Sequence, residues 1–276
     1  MSGYMYGPLF TATTMAEACA YVQSRFDINY MISLGAWGGY VVAGFDHSVD
    51  NSGGGVDFAQ FADRARAILM AWYPGQEGGR ALASILSGME SPSGRLPVTF
   101  WGTLEGNPAA VYYGMRKNEI VPQKRDPFCH TVYYEGLFSG YRAAGSAGFA
   151  PLFPFGFGLT YSQFAYSDLS IQPAADGYDV SFWVRNVGKC RAADVPQVYV
   201  SKCNSREPRP AKLLKGFAKV TLSADEKTRV SVHLGKDAFS HYDVASGEFR
   251  VSPGVFEVIV GANAREESLK TSLTIE

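Results

Sequence analysis

The chain has 276 residues, 46% of them hydrophobic and 18% charged, and its 25 Lys and Arg against 26 Asp and Glu give a formal net charge of -1. That length accommodates about two domains, and the near balance of charge removes the electrostatic basis for binding nucleic acid. No window approaches the ~20 apolar residues of a membrane span, and the opening MSGYMYGPLFTATTMAEA lacks the basic and apolar stretches of a secretory leader. Either the protein stays inside the cell or the chain lacks its true beginning, so the compartment stays open.

In chain order, Thr14-Met-Ala-Glu17 has the form of a capping box. Met15, Ala18, Cys19, Val22 and Phe26 then share one face, which predicts a helix from about Met15 to Phe26. Ile28 to Leu34 and Tyr40 to Phe45 are apolar, β-rich runs and predict two strands buried on both faces. Asp46 to Asp57 (DHSVDNSGGGVD) is polar and glycine-rich, with three aspartates and His47 at the expected carboxyl end of a strand, where open α/β sheets place ligands. Carboxylates there can do acid-base work; a solvated loop is the competing reading. Phe61, Ala62, Ala65, Ile68, Leu69 and Trp72 recur at helical spacing, although the continuous apolar run Ala67 to Trp72 also suits a buried strand.

Trp72 to Phe100 is the most tightly punctuated stretch. Ala81, Leu82, Ile85 and Leu86 predict a short helix with Gly88 as its cap, and Leu96 to Phe100 predicts a strand with Pro97 near its start. The glycines do not match a nucleotide-binding fingerprint, which favours close backbone packing over phosphate binding. Trp101 to Ser162 is long, irregular and rich in Tyr, Gly and Pro, as expected of a functional loop or an arm bridging domains. Its Phe-Pro-Phe-Gly-Phe-Gly run is too apolar to lie in water and is expected to pack under the next domain.

From Asp168 the pattern becomes two-residue alternation, in Tyr178 to Val184, Val230 to Leu234 and Phe256 to Val260. Asn186-Val-Gly188, Ser223-Ala-Asp225 and Ser252-Pro-Gly254 supply turns. About seven short strands without a helical run predict a β-sandwich of immunoglobulin-like architecture. Cys19, Cys129, Cys190 and Cys203 have neither C-x-x-C spacing nor a nearby histidine pair, which argues against a metal site. The 16 Tyr and 18 Phe suit sugar or protein docking and aromatic β cores equally well.

Three segments, AWYPGQEGGRALASILSGMESPSGRLPVTF, YYEGLFSGYR and PLFPFGFGLTYSQFAYSDL, resemble the carboxyl-terminal half of glycoside hydrolase family 3, the β-glucosidase and β-xylosidase group. VRNVGKCRAADVPQVYVS, RPAKLLKGFAKVTLS and VSPGVFEVIVGA are similar to its fibronectin type III-like domain. The resemblance covers about Tyr40 to Glu276. It implies an incomplete α/β sandwich domain over residues 1–103, an aromatic arm over 104–165, and an all-β immunoglobulin/fibronectin III-like sandwich over 166–276.

The resemblance also implies a retaining mechanism with two carboxylates. The family nucleophile is an aspartate of an amino-terminal (β/α)8 barrel of ~250 residues, which this chain does not contain. In the family, a strand and Gly-Phe-Asp lead to a Glu-x-Glu-Gly-x-Asp-Arg loop that supplies the acid/base. Here Gly44-Phe45-Asp46 is followed by Val49-Asp50-Asn51-Ser52-Gly53, with Asp50 and Ser52 where the glutamates stand. One helix, one strand and the Asp-Arg pair are missing before the Gly-Gly turn. Asp50, one methylene shorter than glutamate, is the remaining candidate general acid.

What the resemblance implies is a β-glucosidase-type hydrolase represented by its carboxyl-terminal half, inactive alone on glycosides. The alternative is a non-catalytic module that binds carbohydrate or complements a separate barrel. Expected partners are a β-glucoside or oligosaccharide, and a barrel domain or a second copy through the incomplete sheet; no cofactor is implied. Tyr133, Tyr134, Glu135, Tyr141 and Arg142 of the arm are candidates either for holding domains together or for touching sugar. Family members are often secreted or periplasmic.

Overall fold

The computed structural model describes residues 32–33, 41–43, 62, 65–72, 75–103, 106–109, 135–144 and 150–276. The expected helix Met15 to Phe26 and the loop Asp46 to Asp57 lie outside them. The chain divides into two compact units, Met1–Ser52 with Val56–Ser91, and Gly53–Gly55 with Pro92–Glu276.

In the first unit, β1 (Ile32–Ser33) pairs antiparallel with β2 (Val41–Ala43), and β2 pairs parallel with β3 (Ile68–Met70). Within the described residues, the two apolar runs therefore contribute strands. The helical spacing ending at Trp72 does not hold through Ile68: Val41, Val42 and Ala43 face Ile68, Leu69 and Met70 in register, and this pairing overrides the local period. Helix α1 (Gly78–Leu86) follows, and Leu82 is buried with Leu69, Ala71 and Leu86 packed against it. Gly88 adopts φ +76° and donates its N–H to Ile85 at 2.9 Å, while Ser87 donates to Ala83 at 3.0 Å. This is the glycine cap that the sequence predicts.

The second unit is a β-sandwich. Its three-stranded sheet has the order β10 (Lys227–Leu234), β5 (Gly177–Asn186), β4 (Phe164–Ala174). The four-stranded sheet has the order β14 (Leu269–Ile275), β13 (Gly254–Gly261), β7 (Gln197–Lys202), β8 (Leu213–Phe217). Short ribbons pair β6 (Ala192–Asp194) with β9 (Val220–Leu222) and β11 (Ser240–Asp243) with β12 (Glu248–Val251).

Alternation places Val180, Phe182 and Val184 inward from β5, Val230, Val232 and Leu234 from β10, and Phe256, Val258 and Val260 from β13, all in one core. Register keeps the faces matched: Val230 lies opposite Phe182, and Val258 opposite Val200. At the turn after β5, Asn186 is fully buried, and its amide is engaged by the backbone and by the Ser162 hydroxyl, which donates to Oδ1 at 2.5 Å. Its Oδ1 accepts from Gly188 N–H at 3.0 Å, and its Nδ2 donates to Cys190 and Leu222 carbonyls at 2.8 and 3.0 Å.

The expected strand from Leu96 to Phe100 is absent as a regular element. Phe100 makes one isolated antiparallel bridge to Phe153, and Leu96 exchanges hydrogen bonds with Phe157 and Gly156. Pro97 brings no N–H, and its partner, Phe153-Pro-Phe-Gly, bends away from a ladder, so the stretch is a strap rather than a strand.

Candidate functional site

The arm and strap meet the sandwich in a network of buried polar groups. Arg95, from the strap, donates one Nη to the Gly158 carbonyl of the arm and the other to Oδ1 of Asp194 on β6. The Tyr166 hydroxyl on β4 donates to Oδ2 of Asp194 at 2.5 Å. The side chains of Asp194 and Arg95 are 2% and 12% exposed, so the pair lies in a low dielectric where each charge requires the other. Burial, and then the adjacent Asp194 charge, push the Tyr166 phenol well above its ordinary range and keep it a donor. The approach is close enough that a Cβ at Gly158 would overlap the Gly94 carbonyl oxygen.

A second junction is centred on Gln197. Its Nε2 donates to the carbonyls of Gly156 at 3.1 Å and Ala262 at 2.8 Å, and its Oε1 accepts from the Tyr199 hydroxyl at 2.5 Å. Ala264 N–H closes on the Phe155 carbonyl at 2.9 Å. Tyr141 stacks on Phe155 with centroids 4.9 Å apart, meets Tyr199 edge-on at 6.2 Å, and accepts the Leu214 N–H on its hydroxyl at 3.0 Å. Phe153 and Phe157 stack at 5.3 Å. Burial, with Tyr141 beside it, raises the Tyr199 phenol as well. The Phe-Pro-Phe-Gly-Phe-Gly run thus packs against the sandwich as its apolar composition requires.

Of the arm candidates, Tyr141 is a packing residue, and Arg142 sits next to it in one turn of 3-10 helix, Gly140–Arg142. Glu135 begins a turn whose Phe138 N–H returns to its carbonyl at 2.9 Å. Tyr133 and Tyr134 lie outside the described residues, as does Asp50, so no geometry bears on the acid/base position. Arg95, Asp194, Tyr166 and Gln197 were not singled out in the sequence. The signal was present, since Arg95 interrupts a Gly-Pro-rich turn and Asp194 and Gln197 flank a proline inside an apolar run. Among the described residues, Cys190 and Cys203 are free thiols and no group of three His, Cys, Asp or Glu is arranged to hold a metal.

Between the arm and the four-stranded sheet lies a cavity of about 520 Å3 whose lining includes Tyr141, Phe155, Ser201, Lys212 and Glu257. Ion pairs rim it: Lys212 contacts Glu267 at 3.0 Å, and Lys270 contacts Glu257 at 2.8 Å.

Residues 48–161 match the glycosyl hydrolase family 3 C-terminal domain, and residues 194–264 match the fibronectin type III-like domain. The thermostable beta-glucosidase B of Acetivibrio thermocellus is 38% identical over 217 residues, 77% of this chain and 27% of that protein. The crystal structure of a beta-glucosidase from Kluyveromyces marxianus superposes with a TM-score of 0.72 at 33% identity, covering 80% of this chain and 25% of that one. The chain belongs to glycosyl hydrolase family 3. Beta-glucosidase 3B from Thermotoga neapolitana, solved with glucose, gives a TM-score of 0.71 at 30% identity over 80% of this chain and 30% of that one. This family 3 chain therefore joins an α/β portion to a fibronectin-like sandwich and spans about a quarter of the length of such relatives. No helix among its described residues is long and apolar enough to cross a membrane.

Proposed function

We propose that this chain is the carboxyl-terminal region of a β-glucosidase-type hydrolase that releases terminal β-D-glucosyl residues with retention, and that its 276 residues do not hydrolyse glycosides by themselves. Residues 1–103 serve as the α/β portion, 104–165 as the arm and 166–276 as the sandwich. The observation that carries the reading is the order of the two matched domains, one after the other, in a chain whose relatives are named beta-glucosidases along a matching quarter of their length. The nucleophile of the two-carboxylate mechanism belongs to a barrel outside these residues. Within them Asp50 is assigned the acid/base position. A barrel supplied in the same polypeptide or by a separate chain completes the site.

The test is release of nitrophenol from an aryl β-glucoside. The chain alone is expected to give none. Joined to or mixed with a family 3 barrel, it is expected to give turnover that Asp50→Asn abolishes. Hydrolysis by the unassisted chain, or turnover indifferent to Asp50→Asn, would overturn the assignment.

A further inference from the structure

The boundary between the two compact units falls after Ser91, inside residues 48–161, the segment that matches a single family domain. The strap follows α1 closely in sequence, yet the bonds that hold it run forward. Ser93 Oγ accepts from the Lys219 ammonium at 3.0 Å, 126 positions away. Arg95 donates to the Gly158 carbonyl and to buried Asp194. Leu96 N–H donates to the Phe157 carbonyl at 2.8 Å, and the Leu96 carbonyl accepts from Gly156 N–H at 2.8 Å. Phe100 and Phe153 exchange both backbone bonds, at 2.9 and 3.1 Å. Phe100 is 1% exposed, so this pairing lies where water cannot take the place of a lost partner.

The arm is held on both sides. It takes the strap on one, and on the other it accepts from Gln197 Nε2 at the Gly156 carbonyl, from Ala264 N–H at the Phe155 carbonyl and from Arg265 at the Pro151 carbonyl. Neither layer leaves alone. Removing the strap strips Asp194 of its counter-charge, which is costly for a buried carboxylate. Removing the arm unpairs Gln197, which is 3% exposed. Around α1, by contrast, Leu82 packs with Leu69, Ala71 and Leu86 in a cluster separate from the sandwich core.

We infer that residues 92–276 form one cooperative unit, strap and arm included, which opens as a whole and separately from α1. The unit of stability therefore cuts through the matched family domain, and an opening confined to α1 and its neighbours leaves strap and arm formed. The inference rests on packing and is independent of the glycosidase reading.

Native-state hydrogen exchange of the whole 276-residue chain, followed amide by amide by NMR where rates report opening equilibria, is the test. Leu96, Phe100, Phe153, Gly156 and Ala264 are expected to match Val180 and Val258 of the sandwich core within about tenfold in protection, with Leu82 of α1 at a separate, lower value. Arg95→Ala is expected to lower protection at all the strap, arm and core amides by a common factor of about 100 or more, and to leave Leu82 unchanged. Tyr166→Phe keeps the ion pair and gives the same reading in a milder variant, with a common factor of about 5–100. Three results would each overturn the inference. They are strap or arm amides that exchange orders of magnitude faster than Val258, acceleration of those amides in a variant while Val258 stays protected, and a Leu82 that shares the common factor.

Discussion

Arg95 and Asp194, 99 positions apart in sequence, form a buried ion pair that fastens the strap to the sandwich, and the same guanidinium holds the arm through the Gly158 carbonyl. Both side chains are almost wholly removed from water, so the consequence of losing one differs from that at a surface pair. Arg95→Ala is expected to destabilise the chain by about 3–5 kcal/mol, because Asp194 would stay buried without its counter-charge. Tyr166→Phe leaves the ion pair in place and is expected to cost about 1–3 kcal/mol. Urea unfolding followed by circular dichroism measures both, and the order of the two effects is the critical outcome.

Tyr141 separates the holding role of the arm from a sugar-contacting one. Its hydroxyl accepts the Leu214 N–H at 3.0 Å while its ring rests on Phe155. Tyr141→Phe keeps the ring and is expected to reduce stability by about 1 kcal/mol. In an enzyme completed with a barrel it should leave KM for an aryl β-glucoside unchanged; a raised KM at unchanged stability would instead make Tyr141 a substrate contact.

Gly158 tests how closely strap and arm approach. A methyl group there would run into the Gly94 carbonyl, a backbone atom that cannot swing away as a flexible side chain can. Gly158→Ala is therefore expected to cost about 1–3 kcal/mol as an overpacking substitution. Gly94→Ala, whose added Cβ meets nothing within 4 Å, is the matched control and should be far milder. Thermal unfolding of the two variants side by side gives the comparison.

His233 carries a pH dependence of defined sign. It sits opposite Asp179 across the β10–β5 pair, with Nδ1 2.8 Å from Oδ1 of that carboxylate and Nε2 3.1 Å from the Asp176 carbonyl. The Asp179 hydrogen bond, with help from the Asp176 carbonyl, raises the imidazole above its ordinary 6.5. A folded value raised above the unfolded one contributes stability that is fully present below about pH 6.5 and is lost as pH rises through the folded value. Proton NMR of the His233 ring should titrate above 6.5, and Asp179→Asn should bring it back down. Both groups are exposed, so salt should shrink the effect.

The sandwich was legible in the sequence because alternation is a local signal with a local cause. Val180, Phe182 and Val184 face inward as the two-residue period of a half-buried strand requires. Gly88 capped α1 where the sequence placed it, since only a residue tolerant of φ +76° ends a helix that way without strain. Two elements near the unit boundary read differently. Ile68 to Met70 carried both a helical spacing and an apolar run suited to a buried strand, and parallel pairing with β2 selected the strand, whereas Leu96 to Phe100 lacked a straight partner with which to form a ladder. In both, the deciding contacts come from residues far along the chain.

The site divides the same way. Motifs in the sequence carried the family and pointed to Asp50, a position that lies outside the described residues. They could not show that Arg95 would meet Asp194, or that Tyr141 would share a cavity with Glu257. By itself the sequence determined the family, the order of the α/β portion and the sandwich, and the inward faces of the principal strands, because composition and period act over a few residues. Only the tertiary structure decided which buried polar groups are paired, because hydrogen bonding in a dry interior depends on neighbours that the chain brings together from far along the sequence, 63 positions for Arg95 with Gly158 and 99 for Arg95 with Asp194.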